Sequence, residues 1–421
     1  MSSGDTHPTD LVDQPADHRP AVSRGWITRY GLLYLGQNTS WAAPAQLLLA
    51  QQILVWYPGE KEQKLALLMA IGGVASLIGH PLAGWLSDVT PVRFGRRSTW
   101  IACGGLVASA CLIVMAHAPG FATLVAAWTV FQLFIAASIN AAQAVAPDVV
   151  PTRQYGTVSG VLGLTYTMGL VLGTAVATLL DIQAAYTVTA VLVMVAIIQF
   201  LIGFRDPARD DTVRADVSVG KLETPDLAKS PPERSYRDFN WVFITRFLVT
   251  AGNYVALFYL FYFLRDRIGL ADPDSGVLVL TGIYAVCVVV TAMVSGPMSD
   301  KSGKRRIYVG ASSAGVAAAC VLMAWATSFA IVIGGALVLG LAWGVFMAVD
   351  QALINEVLPS ADRRGRDMGI MNLAVAGPNT LAPVLAAAAL TGFGGYPGLY
   401  LFAAGLTLIG AVLIRQVRTV T

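Results

Sequence analysis

Charge is what this sequence has least of. Asp, Glu, Lys and Arg make up 13% of its 421 residues, against about a quarter in an ordinary soluble domain. Too few charges remain to cover a water-facing surface of this size. A soluble enzyme, a nucleic-acid binder and a disordered scaffold are therefore excluded. Histidine is scarce as well, at four residues. No nucleophile–base constellation or metal motif stands out, so no enzyme activity, cofactor or metal is expected. The four cysteines, Cys103, Cys111, Cys287 and Cys320, lie in apolar runs and form no CxxC pair. They read as small packing residues, not as a disulfide framework. Residues 1–25 have no apolar core, so they read as a disordered cytoplasmic tail and not as a cleavable signal.

Apolar residues are what the chain has in quantity. Hydrophobic residues make up 56% of it. That is about 236 residues, where twelve membrane helices of about 20 residues would take about 240. The 41 glycines and 20 prolines suit membrane helices, which tolerate both.

The charges mark where the helices end. No Asp, Glu, Lys or Arg occurs between Arg97 and Asp148, a run broken only by His117-Ala118-Pro119-Gly120. It reads as two helices and a tight turn. The pattern recurs from Gly156 to Phe204 around Asp181, from Ile307 to Val349, and from Met368 to Ile414 around a Gly392–Gly398 turn. With the runs near 26–56, 65–88, 239–264 and 275–299, twelve spans result. With the N-terminus placed in the cytoplasm, 24 of the 28 basic residues fall on the inner side. Only Lys61, Lys64, Arg265 and Arg267 lie outside. The positive-inside rule then places both termini in the cytoplasm of a multi-pass inner or plasma membrane protein. The polar stretch 205–238 reads as a cytoplasmic linker between bundles at 26–204 and 239–415, with a short tail at 416–421.

The two halves repeat at a spacing of about 210 residues. Gly84-Trp85-Leu86-Ser87-Asp88 and Gly95-Arg96-Arg97 follow the second span. Gly296-Pro297-Met298-Ser299-Asp300 and Gly303-Lys304-Arg305-Arg306 follow the eighth. Asp148-Val149-Val150-Pro151 ends the fourth span, as Glu356-Val357-Leu358-Pro359 ends the tenth. Ile27-Thr28-Arg29-Tyr30 is echoed by Ile244-Thr245-Arg246-Phe247. Duplicated halves are a transporter architecture, with the solute bound between them near the midplane. The expected fold is therefore an all-α polytopic membrane protein of 12 transmembrane helices in two pseudo-symmetric six-helix bundles.

These loops give the chain its resemblance to the major facilitator superfamily, over essentially its whole length. The string Pro81 to Asp88, then Arg93-Phe94-Gly95-Arg96-Arg97 and Trp100-Ile101, is similar to the sucrose-transporter branch, near the glycoside–pentoside–hexuronide transporters. The resemblance implies a secondary transporter of a small organic solute, a sugar or glycoside, with a proton as coupling ion. The lipid bilayer is then its other partner, nucleic acid is not one, and the chain is expected to work as a monomer. Two departures bear on this. Sucrose-type relatives carry an acidic residue in the fourth span, and Gln132 to Pro147 has none. Drug–proton antiporters carry an Arg there and a Gly-Pro signature in the fifth span; here that span has Gly160, Gly163, Gly169 and Gly173 without Pro. A proton-driven exporter of an amphipathic metabolite or drug is the alternative. A non-transporting sensor on the same fold is a second.

Asp88, Arg93, Arg96, Arg97 and Asp148 are the candidates for a cytoplasmic gate in the first half, and Asp300, Lys304, Arg305 and Glu356 in the second. At partly dehydrated helix ends such charges attract more strongly than in water. The same arginines can also serve topology alone. Polar residues inside spans are costly and mark function by default. The candidates for solute contact are Tyr34, Gln37, Asn38 and Trp41 on the first span, and Gln132 and Gln143 on the fourth. Asn253 and Tyr254 on the seventh, Trp343 on the tenth and Asn379 on the eleventh complete the set. Amides beside aromatic rings suit a neutral polyhydroxyl ligand; amides that glue helices together are the other reading. Asp350 is the one acidic side chain well inside a span. It is the candidate for proton coupling, with Arg29 or Arg246 as its partner; a permanent ion pair is the alternative role.

Overall fold

The computed structural model describes residues 20–89, 95–204, 206, 236–357 and 364–417. Among them every regular element is helical. Hydrocarbon offers the backbone no hydrogen bonds, so a spanning segment must pair its own N–H and C=O groups. Twelve rods follow one another. α1 runs as Arg24–Ala43, a π turn Pro44–Leu48 and Leu49–Trp56. α2 is Lys61–Val89, α3 Arg96–Ala116, α4 Phe121–Val149, α5 Tyr155–Leu179 and α6 Ile182–Gly203. In the second half α7 is Tyr236–Phe258 followed, after a break at Tyr259, by Leu260–Asp266. α8 is Pro273–Ser302, α9 Arg305–Ala324, α10 Phe329–Val357, α11 Arg364–Gly392 and α12 Tyr396–Leu413.

Eleven of these rods contain a stretch long and apolar enough to cross a membrane. α1 is the twelfth. Its first part carries Arg24, Arg29, Gln37, Asn38 and Ser40, which dilute its apolar character. Its three parts are nevertheless continuous and reach about 50 Å. Local chemistry sets the helix ends. Ser23 accepts from Trp26 N at the start of α1. Asp181, the one charge in its run, caps α6 by accepting from Ala184 N. Asp272 caps α8, accepting from Ser275 N at 3.1 Å and from Ser275 Oγ at 2.6 Å. Those two bonds hold its carboxyl below the usual carboxylate range.

The repeat seen in the sequence is also a repeat in packing. α1 packs on α5 and α6, α4 on α2 and α3, and α3 on α6. Each contact recurs six helices later: α7 on α11 and α12, α10 on α8 and α9, and α9 on α12. Glycine allows the closest approaches. A Cβ on Gly169 would stand 2.7 Å from Asn38 Cβ, and one on Gly173 would stand 2.8 Å from the backbone nitrogen of Ala43. This is the small-xxx-small contact by which membrane helices bring their backbones together. Between the halves, α2 meets α11 and α5 meets α8. Those four helices form two seams, one on each side of the molecule's middle. The linker at 205–238 falls outside the described residues, apart from Asp206 and the first turn of α7.

Candidate functional site

The seams are closed at one end, the end opposite the chain termini. There Lys61 of α2 forms an ion pair with Asp266 of α7, Nζ to Oδ2 2.6 Å. Tyr396 of α12 donates to the same Asp266 at 2.9 Å and lies 3.4 Å from Glu62 Oε1. Tyr259 donates to Glu62 O at 2.7 Å, and Tyr262 donates to Ala50 O at 3.0 Å. Gln51 of α1 donates to Asp274 of α8 at 2.7 Å. Further in, Thr380 Oγ1 of α11 lies within 3.4 Å of Gly73 O of α2. The hydrogen bonds and ion pairs across the halves whose two partners are both described lie between this cluster and that level.

From there toward the termini the seams part. Gly156, Gly160 and Gly163 of α5 face open space, as does Gly296 of α8. Tyr166 of α5 is 54% exposed. Among the described residues the two halves are thus joined at one end and stand apart toward the other.

The closing cluster is the feature the sequence reading missed. Lys61 and Arg265 were legible only as the few basic residues outside. The available signal was their neighbours. Glu62 and Asp266 put acids directly beside them, just past the first span of each half. The aromatic series of the seventh span belongs here too: Tyr259 and Tyr262 are buried and bond to the opposite half.

Beside the opening, Arg246 of α7 and Asp350 of α10 form an ion pair, Nη1 to Oδ2 3.2 Å, with side chains 12% and 7% exposed. Counting along the helices, Arg246 lies about 15 Å and Asp350 about 10 Å from the near ends of α7 and α10. A buried pair of this kind survives because each charge offsets the other's desolvation. Arg29 does not join it. Its side chain is exposed and its guanidinium lies against Gly203 at the end of α6. Arg246 Nε, Thr250 Oγ1 and Asn253 Oδ1 are buried without a hydrogen-bond partner. They stand at i, i+4 and i+7, on one face of α7. Thr250 was not among the sequence candidates.

The amide candidates scatter. Gln37 donates to Ser138 Oγ of α4 at 2.9 Å, leaving its Oε1 unpaired. Asn38 donates to the carbonyl of Tyr34 on its own helix. Tyr34 is buried beside Tyr30, with ring centroids 5.1 Å apart. Trp41 is half-buried and packs on the core. Gln132 is buried within α4, whereas Gln143 is exposed. On α7, Asn253 lies beside Tyr284 of α8, and Tyr166 lies within electrostatic reach of both Tyr254 and Tyr284. Trp343 stacks on Phe346 at 5.2 Å, and Asn379 is exposed. Only Asn253 and Tyr254 among these candidates stand with Arg246 and Asp350.

Of the gate candidates, Arg97 Nε donates to Asp148 Oδ2 at 3.2 Å, tying α3 to α4. Asp206 accepts from the backbone nitrogens of Arg97 and Ser98, capping α3. In the second half Arg305 donates to Ala352 O of α10 at 3.1 Å, the corresponding helix pair, and Lys304 is exposed. Both contacts fasten helices within one half. The side chains of Asp88, Arg93, Arg96, Asp300 and Glu356 lie outside the described residues.

Comparison with known proteins agrees with this architecture. Among curated proteins, none matches the chain by sequence. Solved structures do match it by fold. The peptide transporter POT in complex with sulfate superposes with a TM-score of 0.70 at 15% identity, covering 94% of this chain and 96% of its own. The nucleoside transporter NupG gives 0.72 at 11%, over 93% and 100%. A bacterial homolog of the human lysosomal transporter Spinster, in an inward-facing and occupied conformation, gives 0.68 at 14%, over 94% and 95%. The family model of the Major Facilitator Superfamily matches residues 30–286 and 242–420. With twelve helices in two repeated halves and a family model that matches nearly its whole length, the chain belongs to the Major Facilitator Superfamily and is a transporter, not an enzyme.

Proposed function

We propose that the protein is a secondary active transporter that moves a small organic solute by alternating access, coupled to protons through Asp350 and Arg246. The observation that carries the coupling is the buried ion pair of Arg246 with Asp350 beside the opening. A proton taken up by Asp350 removes its charge and frees the Arg246 guanidinium. An unpaired buried cation is costly, so Arg246 then requires a new partner, which a solute with acceptor groups supplies. Binding of proton and solute are thereby linked, each raising the affinity for the other. Placing both termini in the cytoplasm, as the basic residues favour, makes the open end the inner one and the state inward-open.

A sugar is the less favoured solute. It would need several free amides around one cavity, and Gln37 is committed to Ser138 and Asn38 to its own helix. A proton-driven exporter would need the opposite linkage, with proton and solute competing for the pair, so the sign of the coupling separates import from export.

The test is transport by the purified full-length chain in liposomes. Uphill uptake or extrusion should require a proton gradient and collapse with a protonophore. Asp350→Asn should lose gradient-driven accumulation while keeping solute exchange, because the neutral amide mimics the protonated carboxyl. Full gradient-driven accumulation in that variant would remove Asp350 from the coupling step.

A further inference from the structure

A second cavity lies away from the ion pair. Together with the open space at its mouth it measures about 590 Å³, and it is walled chiefly by the second half. Its wall is apolar: Leu257 and Leu280, Cys320 and Met323, Ala336 and Leu339. A pocket lined chiefly by apolar side chains, with a few polar groups at its edge, has the character of a small-molecule site. Small residues keep it open. A Cβ on Gly335 would stand 2.8 Å from Met323 Sδ, so a larger residue there would displace the Met323 side chain that lines the cavity.

Two residues of the first half complete the wall, Gln46 of α1 and Leu170 of α5. Gln46 sits in the π turn Pro44–Leu48, and π turns inside helices are frequent at functional sites. The cavity thus spans both halves, and its wall changes when they move against one another.

It is also continuous with the polar face of α7. Arg246, Thr250, Asn253 and Leu257 stand at i, i+4, i+7 and i+11, one stripe about 16 Å long. The stripe begins at the ion pair, passes the unpaired Thr250 and Asn253, and ends in the cavity wall. Tyr284 marks the join, since it lines the cavity and lies beside Asn253. The polar end is rich in donors: the guanidinium of Arg246 and the hydroxyls of Tyr254 and Tyr166.

We propose that this cavity is a substrate subsite that takes the hydrocarbon or aryl group of an amphipathic carboxylate, whose head lies toward Arg246 and the tyrosines. The proposal rests on the transporter reading above and names its substrate class. The carboxylate supplies acceptors where the protein offers donors. The apolar group gains by leaving water for the leucines and alanines, in proportion to the area it buries.

The experiment measures equilibrium binding of a homologous series of radiolabelled phenylalkanoates to the full chain in nanodiscs, with glucose as polar control. Affinity should rise several-fold with each added methylene until the cavity is full, and glucose should not compete. Ala336→Phe and Cys320→Phe, each filling the cavity from a different helix, should weaken the longest ligand at least tenfold and leave the shortest little changed. Monodisperse elution and a wild-type melting temperature check that the variants fold. Absence of binding by the wild type overturns the subsite. So does an affinity independent of chain length, a result that needs no variant, or unchanged affinity in both folded variants. Binding that follows chain length, with no proton-dependent transport of the same ligand, would leave the subsite standing and sink the coupling reading.

Discussion

At the scale of single residues, the pair Arg246–Asp350 decides most. Both charges are nearly buried, so each is tolerable only in the presence of the other. Arg246→Ala should strand the carboxylate and cost about 3–5 kcal/mol, and Asp350→Ala should strand the guanidinium at similar cost. The double substitution should be less damaging than the sum of the two, because it leaves no orphan charge. Denaturation of the four proteins in one detergent checks this; strict additivity would mean that the two side chains do not depend on each other. Asp350 was legible in the sequence because a lone carboxylate inside a charge-free run has few explanations. Its partner was not, because Arg29 and Arg246 occupy equivalent places in the two repeats. Only the fold separates them, turning Arg29 onto α6 and Arg246 toward α10.

At the scale of elements, the sequence was most informative where physics is one-dimensional. A helix in hydrocarbon cannot carry charge cheaply, so the charge-free runs mark the rods closely. α3 begins at Arg96 and α9 at Arg305, and Asp181 stands where α6 begins. The pairing of amides was illegible because it depends on rotation about the helix axis. Gln37 and Asn38 are neighbours in sequence, yet one meets α4 and the other folds back on its own helix. The glycines of α5 show the same division. Gly169 and Gly173 touch α1, whereas Gly160 and Gly163 face open space. Gly173→Leu should therefore force α1 from α5 and lower the melting temperature markedly. Gly160→Ala should change stability by no more than about 1 kcal/mol, the difference in helix propensity. Equal effects of the two would mean that α5 does not pack as described.

At the scale of the whole molecule, the balance between conformations rests on the sealed end. Lys61, Glu62, Asp266 and Tyr396 bring three helices from two halves to one point. Asp266→Asn removes the ion pair and weakens the seal, so a population open at that end should appear. Spin labels at Gly59→Cys and Asp272→Cys, one on each half, should report it as a longer distance in pulsed dipolar spectra. An unchanged distance distribution would assign the seal to the apolar seams instead. The duplicated architecture was readable from the sequence because both halves kept the same motifs in the same order. The seal was not, since which of these residues meet is set by how the two bundles pack against each other.

The π turn in α1 has a consequence of its own. It holds one residue more than an α turn would, so Leu49–Trp56 continues the helix out of phase with Arg24–Ala43. Converting the turn to α geometry would push that surplus residue along the chain and rotate the last two turns by about 100° about their axis. Gln51, which bonds Asp274 across the halves, rides on those turns, and Gln46 sits at their base. A one-residue slip inside a single helix would thus swing the clasp at one end and redraw the cavity wall at the other. Such a slip works as a screw thread between the solute and the seal, and it needs neither bundle to tilt before it acts.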